Sequence, residues 1–427
     1  MFAPFKQIFS PKNKDIRNRI LFTLFVLFVF KLGTSITVPG TQALTKDLGF
    51  LELWNAMSGG ALESFSIFAL GVGPYINASI ITQLLQMDVF PYFSDLKNQG
   101  ATGRMKINKI TRYLGIIIAF IQGYVFSFAI YGQTGGALEY LRIAIILTAG
   151  TALLLWLGDQ ITQKGVGNGV SLIIMAGIVG NLPSMFISAW NGFVTFGELS
   201  KTIIGLLLFL LFIFIYLVII VGIIFIDKAE RRLPIQYSNR TTGAYGGEQT
   251  YIPIRLNSAG VIPVIFASSL LSIFSTISYF VKNDGFQKFV SNYLDYSKPV
   301  GFILFIVLIF LFAYFYTFVQ MKPEQMAKNL QDNGGYIPGV RPGESTEKYF
   351  TNVLSRLTIV GALFLSVIAG LPILVNVFTK LPSSVQLGGT GLLIVVGVAI
   401  ETYKQLDSSL LSWEYTDVKN SGRRRRR

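Results

Sequence analysis

The sequence predicts an all-α membrane protein with ten transmembrane helices arranged in two inverted halves of five. Three observations support this fold class. The 427-residue chain is 52% hydrophobic and only 14% charged, which is far more apolar than a soluble domain. Ten stretches are apolar over the roughly 20 residues needed to cross a bilayer. The segments that connect these stretches are alternately rich and poor in lysine and arginine.

The predicted spans follow one another along the whole chain. They lie near residues 20–38, 74–92, 113–132, 141–158, 170–190, 202–226, 258–280, 299–320, 358–379 and 387–403. Most of the 36 Lys and Arg residues lie in the segments on one side of these spans. Because basic loops near span ends stay in the cytoplasm, we expect a multi-pass protein of the cytoplasmic membrane with both termini in the cytoplasm.

An odd number of spans in each half places the second half upside down relative to the first, as in inverted-repeat membrane proteins. The predicted parts are a cytoplasmic N-terminal segment (1–19), an N-terminal half (20–200), a C-terminal half (201–405) and a basic cytoplasmic tail (406–427). The charged start is followed by no small-residue cleavage site, so we expect it to stay attached.

The connection into the second span is unusual for a membrane protein. A glycine-broken, half-apolar stretch begins at Trp54 and leads into a polar-striped span from Pro74 to Gln86. Irregular backbone persists at membrane depth only where it is buried in protein or lines a water-filled cavity, because lipid offers it no hydrogen-bond partners. This stretch therefore predicts an internal cavity.

Polar stripes mark the second and seventh spans, which occupy matching positions in the two halves. The stripe of the second span consists of Ser79, Thr82, Gln83 and Gln86. The stripe of the seventh span consists of Ser268, Ser272 and Ser275. One interpretation is tight helix packing by small polar residues. The other is a hydratable seam along which two helices part, which the glutamines and the nearby Asn77 favour.

Few ionisable residues lie inside the predicted spans. Lys31 lies within the first span, where it either reaches the membrane surface or is satisfied by backbone carbonyls. The chain contains no cysteine and no histidine, which excludes thiol nucleophiles, disulfides and imidazole chemistry. A path without charges can still exclude ions by dewetting, if a narrow ring of aliphatic side chains lines it. Aliphatic pairs four residues apart, such as Val72 with Ile76, are more typical of helix faces that contact lipid or the core.

Two loops on the basic side are longer than their connections require. The loop 227–257 contains two strand-like runs, 233–237 and 250–254, which predict a β-hairpin. The loop 321–357 carries turn signals at Asn333-Gly334-Gly335 and Pro338-Gly339. Loops of this length in a compact bundle are commonly functional.

Short motifs spread along the chain resemble the SecY family, the central channel subunits of bacterial protein translocons. They are Ser58-Gly-Gly-Ala-Leu62, Ser66-Ile-Phe-Ala-Leu-Gly71, Pro74-Tyr-Ile76, Ala78-Ser-Ile-Ile81, Trp156-Leu-Gly158, Gly165-Val-Gly-Asn-Gly169, Ala259-Gly-Val-Ile-Pro263 and Arg341-Pro-Gly343. Each motif alone is weak, but their combination in this order is specific.

The resemblance implies an hourglass pore between the two halves, closed from outside by a short helical plug and able to open sideways into lipid. The plug would be residues Asn55, Ala56, Met57, Ser58, Gly59, Gly60, Ala61, Leu62, Glu63 and Ser64. The pore ring would be Val72, Ile76, Val170, Ile174, Ile265 and Ile394. The lateral gate would include Asn77, Gln83, Ser269 and Ile273. The partner-docking residues would be Arg231, Arg232, Arg240, Arg255 and Arg341.

The implied partners are SecE and SecG, the SecA ATPase, the ribosome, signal sequences with unfolded preproteins, and anionic lipids. No cofactor is implied, and Gly165-Val-Gly-Asn-Gly169 lacks the lysine of a phosphate-binding loop. The sequence departs from better-known members at Val72 and Val170, where they have isoleucine, and at Lys322-Pro-Glu324, where a proline-arginine pair is common.

The residues leave two other classes open. An inverted-repeat secondary transporter of a small solute would share the architecture, but it would be expected to carry carboxylates at mid-membrane depth. A membrane enzyme is less favoured, because histidine, cysteine and paired aspartates are missing.

Overall fold

The computed structural model describes most of the chain. The described residues are 14–41, 55, 57–86, 90–131, 136–194, 199–237, 250–278, 284–295, 298–379 and 388–424. Their helices are α1 (Lys14–Thr34), α2 (Gly73–Leu85), α3 (Pro91–Asn98), α4 (Gly100–Tyr131), α5 (Ala137–Lys164), α6 (Gly169–Phe193), α7 (Leu199–Lys228), α8 (Ile262–Ser278), α9 (Asp284–Phe289), α10 (Pro299–Met321), α11 (Pro323–Asp332), α12 (Glu344–Thr379) and α13 (Gly388–Arg424). The strands are β1 (Glu230–Tyr237), β2 (Thr250–Arg255) and β3 (Gly335–Tyr336).

The helices confirm an α-helical membrane protein. Within the described residues, 6 helices are long and apolar enough to cross a bilayer. They are α4, α5, α6, α7, α10 and α12. A shorter apolar helix covers Ile262–Phe274. Large apolar side chains stay exposed along these helices, most of all on α7, as expected for surfaces that face lipid.

Three helix ends differ from the predicted span ends. Helix α2 stops at Leu85, and Pro91 starts the separate helix α3 after an extended Phe90, because a residue before proline avoids helical backbone. Helix α12 begins at Glu344, inside the predicted loop 321–357. Helix α13 continues to Arg424 through the predicted tail. Hydropathy detects only the apolar part of a helix, so polar extensions were missed.

The chain divides into two compact units. Unit 1 comprises Met1–Asn191, Ser383–Leu387 and Ile394–Arg427, and unit 2 comprises Gly192–Pro382 and Gly388–Leu393. In unit 1, α4 packs against α2, α3 and α5, and α1 packs against α5. In unit 2, α10 packs against α8 and α12.

The core of unit 1 is built around irregular backbone rather than around helices alone. Leu62, Phe65 and Leu70, which belong to a non-helical stretch, are buried against side chains of α4 and α5. Their helix partners include Ala119, Phe126, Ile143 and Leu147. The stretch between α1 and α2 is therefore an integral part of this core.

The predicted hairpin is confirmed in unit 2. Strands β1 and β2 pair antiparallel, with Leu233 opposite Ile252. A third strand that the sequence did not reveal, β3, pairs with the other edge of β1 and places Gln236 opposite Tyr336. The sheet order is β2-β1-β3, so the two long loops are joined by backbone hydrogen bonds.

A hydrophobic cluster fixes this sheet to the helices of unit 2. Leu233 and Ile235 alternate with exposed neighbours along β1, as expected for a strand with one buried face. The cluster also contains Ile254, Phe350 and Leu354. The buried Phe350 explains why α12 begins before the predicted span at residue 358: the first turns of this helix pack against the sheet.

Replacing Phe350 with alanine should destabilise unit 2 by about 3–5 kcal/mol, because it opens a cavity where a fully buried ring (0% exposed) now packs. Thermal unfolding of the purified protein in detergent measures the loss. The matched control on the same helix is Lys348→Ala, whose side chain is exposed and paired with Glu344; it should change the melting temperature little. Equal effects of the two substitutions would contradict the packing role.

Candidate functional site

The candidate site begins with the stretch between α1 and α2, residues 57–72, which we call the turn segment. Residues 58–72 form turns and one bridge instead of a helix. Among the described residues of the predicted plug, Asn55 and Met57 have helical backbone and residues 58–64 form turns, so a folded set of turns replaces the expected short helix there. Gly59 and Gly60 have φ angles of 77° and 84°, which glycine adopts without strain and other residues do not.

Asn55 organises the turns that follow it. Its carbonyl accepts from the Gly60 N–H at 2.8 Å and from Ser58 Oγ at 3.0 Å. Its side chain accepts from the Glu63 N–H at 3.0 Å and donates to the Glu63 carboxylate at 3.3 Å. These bonds satisfy polar groups that an apolar environment would leave without partners. Ala56 lies outside the described residues.

The later part of the turn segment is fixed to neighbouring elements by backbone pairing, by one side-chain hydrogen bond and by ring stacking. A bridge pairs Thr37 with Ser66, and the Ile67 N–H donates to the Ile36 carbonyl at 2.9 Å. Thr151 on α5 donates its hydroxyl to the Gly71 carbonyl at 3.2 Å. The ring of Phe68 stacks on Phe30 of α1, with centroids 6.1 Å apart.

The early part of the turn segment is fixed differently, by side chains of α1 and α6. Lys31, which is exposed, donates from Nζ to the Gly59 carbonyl at 3.3 Å, in agreement with the second of its two alternatives. With its amide oriented to suit both partners, Asn181 donates to the same carbonyl at 3.2 Å and accepts from the Gly60 N–H at 3.1 Å. Gly177 brings α6 close: a Cβ there would lie 2.5 Å from the Met57 carbonyl oxygen.

The pore-ring residues are distributed over both units. Val72, Ile76, Val170, Ile174 and Ile394 belong to unit 1, and Ile265 belongs to unit 2. Val72, Ile174 and Ile394 are buried, and the other members are partly buried. Val72 is the residue that precedes α2, and its carbonyl accepts the first N–H groups of that helix. The arrangement of these residues as one ring stays a prediction.

The predicted gate residues differ in how their polar groups are satisfied. Ser268 donates to the Val264 carbonyl of its own helix at 3.0 Å, and Gln83 donates to Ser79 at 3.2 Å. Asn77 is buried, and within the described residues its Oδ1 has no hydrogen-bond partner. Ser269 is buried and Ile273 is 39% exposed. The Ser268 bond fits the helix-packing interpretation, whereas Asn77 fits the seam.

The docking arginines lie on or beside the sheet of unit 2. Arg231, Arg232 and Arg255 are exposed on β1 and β2, and Arg341, which follows β3, is exposed too. Glu230 accepts a 2.9 Å hydrogen bond from Arg232, and this bond raises the pKa of that guanidinium. Arg240 lies outside the described residues. Exposed cations on a rigid sheet suit binding of an acidic partner.

Sequence reasoning missed Asn181. The signal was present, because an asparagine inside an apolar span must find a partner, as was argued for Asn77. What the sequence did not reveal is that this partner is a peptide group more than a hundred residues earlier in the chain. Strand β3 was also missed, because it has only 2 residues and no alternation to detect.

The helices and the buried turn segment define a multi-pass membrane protein of the channel type, whose irregular backbone is held inside a helical unit. The chain belongs to the SecY family, because the SecY family model matches residues 66–403. It is 48% identical over 421 residues to the protein translocase subunit SecY of Staphylococcus aureus (strain NCTC 8325 / PS 47), covering 95% of this chain and 96% of that protein.

Solved structures show the same fold at low sequence identity. One concerns the plug domain of the SecY protein, which stabilises the closed state of the translocation channel and maintains a membrane seal; it has a TM-score of 0.63 at 20% identity and covers 94% of both chains. Another is Sec61 in the canine ribosome–channel complex from the endoplasmic reticulum, with a TM-score of 0.62 at 19% identity and 94% coverage of both chains.

Replacing Gly177 with valine should push the turn segment off α6, because the new side chain meets the Met57 carbonyl and the Gly59 N–H. In a Ser58→Cys background, the buried thiol should then react faster with a maleimide than it does without the valine. Gly222→Val is the control, since nothing lies within 4 Å of a Cβ at that position. Equal reaction rates for the Gly177→Val and Gly222→Val variants would show that the close approach of α6 does not hold the turn segment in place.

Proposed function

We propose that this chain is the pore-forming subunit of a protein-conducting channel, which passes unfolded secretory polypeptides across the cytoplasmic membrane and releases apolar segments sideways into lipid. The observation that carries the proposal is the 48% identity to a protein translocase subunit over 95% of the chain. The packed turn segment supports the proposal. A plug that closes the pore must be folded in the closed state, and it must be a segment separate from the membrane-spanning helices.

In the proposed channel, ten spans form two inverted halves around an hourglass pore. The pore-ring residues supply branched aliphatic side chains, which exclude ions by dewetting and offer a passing chain no fixed hydrogen bonds. Residues 55–64 form the plug. Helices α2 and α8, which carry Asn77 and Ser269, form the lateral gate.

Opening is proposed to be a shift between two existing states. A signal sequence would place its apolar helix at the seam between α2 and α8, so it would bind the parted state more tightly than the closed state and increase its population. The plug would then leave, and the ring would close loosely around the moving polypeptide. The relatives are translocase subunits rather than enzymes, so the energy for transport comes from a partner.

The sheet of unit 2 is the proposed docking surface for the SecA ATPase and the ribosome. The related Sec61 structure is of a ribosome–channel complex, and Arg231, Arg232, Arg255 and Arg341 are exposed, which suits ribosomal RNA or acidic protein surfaces. SecE, SecG and anionic lipids complete the proposed assembly. We propose that both termini and both long loops face the cytoplasm, because they carry most of the basic residues.

Reconstitution tests the function directly. Vesicles that contain the chain with SecE and SecG should protect a labelled preprotein from external protease when SecA and ATP are added. A preprotein without its signal sequence is the control and should stay accessible. Uptake of a small polar solute without any preprotein, together with failure to protect the preprotein, would favour the secondary transporter instead.

A disulfide across the proposed gate tests the opening mechanism. The chain has no cysteine of its own, so Asn77→Cys together with Ile273→Cys introduces a single possible bridge. Oxidation should block translocation and reduction should restore it, because the two helices can no longer part. Each single substitution under the same oxidant is the control. Full translocation with the bridge formed would contradict the gate.

A further inference from the structure

The peptide that joins Gly59 to Gly60 is held by more side-chain contacts than any other described peptide of the plug. Its carbonyl accepts from Lys31 Nζ at 3.3 Å and from the Asn181 amide at 3.2 Å, while its N–H donates to the same amide at 3.1 Å. The holding groups come from α1 and α6, which flank this turn. Their contacts converge on one peptide bond.

Two neighbouring glycines leave space for the Lys31 and Asn181 side chains to reach this peptide. A Cβ at Gly180 would lie 3.3 Å from Lys31 Nζ, and a Cβ at Gly60 would lie 3.2 Å from the Asn181 amide. Larger residues at either position would crowd the polar groups away from the peptide. Within the described residues, Lys31 forms no ion pair with a carboxylate, so the Gly59 carbonyl is its principal polar contact.

The positions of these groups are hard to explain by packing alone. A lysine inside a span is costly unless its charge is satisfied, and a methionine would fill the same space without that cost. An asparagine in an apolar helix carries the same penalty. Hydrogen bonds are directional and become strong when the donor is charged, so these residues hold the turn in one position that apolar contacts would not define.

We propose that Lys31 and Asn181 form a polar latch, which holds the plug seated through the Gly59–Gly60 peptide and sets how readily the channel opens. This inference rests on the proposed function, because it takes residues 55–64 as the plug. The latch releases without breaking any covalent bond or moving any helix, since water can replace both donors once the turn leaves its seat. Lys31 and Asn181 are proposed as positioning residues, which act through the Gly59–Gly60 peptide.

The test uses Lys31→Met and Asn181→Leu, each in the reconstituted channel and in a Ser58→Cys background. Ser58 is 2% exposed, so its thiol replacement reports whether the plug is seated. Loss of either donor should speed maleimide labelling at position 58 by about tenfold to a hundredfold, the range expected for one hydrogen bond to a charged or buried group. The ion conductance of the resting channel should rise in parallel.

Two controls separate the latch from a general loss of structure. Arg142→Met removes another contact between a cation and a carbonyl, to Pro39 at 3.4 Å, and should leave labelling and conductance unchanged. Lys31→Arg keeps a charged donor and should restore most of the seal. Retained translocation of a normal preprotein shows that the Lys31→Met channel is folded.

A third variant, which lacks residues 55–64, distinguishes failure of the latch from failure of the plug. If this deletion leaks ions while Lys31→Met and Asn181→Leu neither leak nor label faster, the latch is wrong and the plug stands. If the deletion causes no ion leak, both the assignment of residues 55–64 as the plug and the latch are wrong. Faster labelling in both substitutions, with Arg142→Met unchanged, supports the latch.

Discussion

The structure of unit 1 depends on one constraint: irregular backbone among apolar helices must find a partner for every peptide N–H and C=O. The turn segment meets this constraint in two ways. Its later part pairs with backbone, through the bridge between Thr37 and Ser66. Its early part uses the backbone bond from the Gly60 N–H to the Asn55 carbonyl, together with side chains from α1 and α6. The contacts from these two helices can be exchanged for water.

This difference divides the turn segment into a fixed part and a part that is suited to move. Phe65 and Leu70 are buried in the core of unit 1, so displacing them would expose large apolar areas at a cost of about 1.5–3 kcal/mol for each side chain. Residues 57–60 contribute little apolar surface beyond Met57, and they are held by polar groups. A plug that opens at its early part leaves the core intact.

The sequence predicted the membrane class and the hairpin, because each depends on local pattern. For Lys31 it left two alternatives open, of which the structure shows a bond to a backbone carbonyl. It could not predict the conformation of residues 57–64, since glycine allows both helical and left-handed backbone and the contacts that select the turns, such as those of Asn55, come from the fold. The start of α12 at Glu344 was missed for a related reason. Its first turns are polar, and burial of Phe350 against the sheet becomes evident only when both long loops are brought together.

Asn77 and Ser268, which lie on the two helices of the proposed gate, differ in how their polar groups are satisfied. Ser268 bonds to the carbonyls of its own helix, so this hydroxyl requires nothing from a neighbouring helix and loses nothing when helices part. Asn77 has a buried acceptor without a partner among the described residues, and such a group costs about 1–3 kcal/mol. In the proposed gate this cost is relieved when water or a passing segment reaches α2, so the closed state is destabilised relative to the open one.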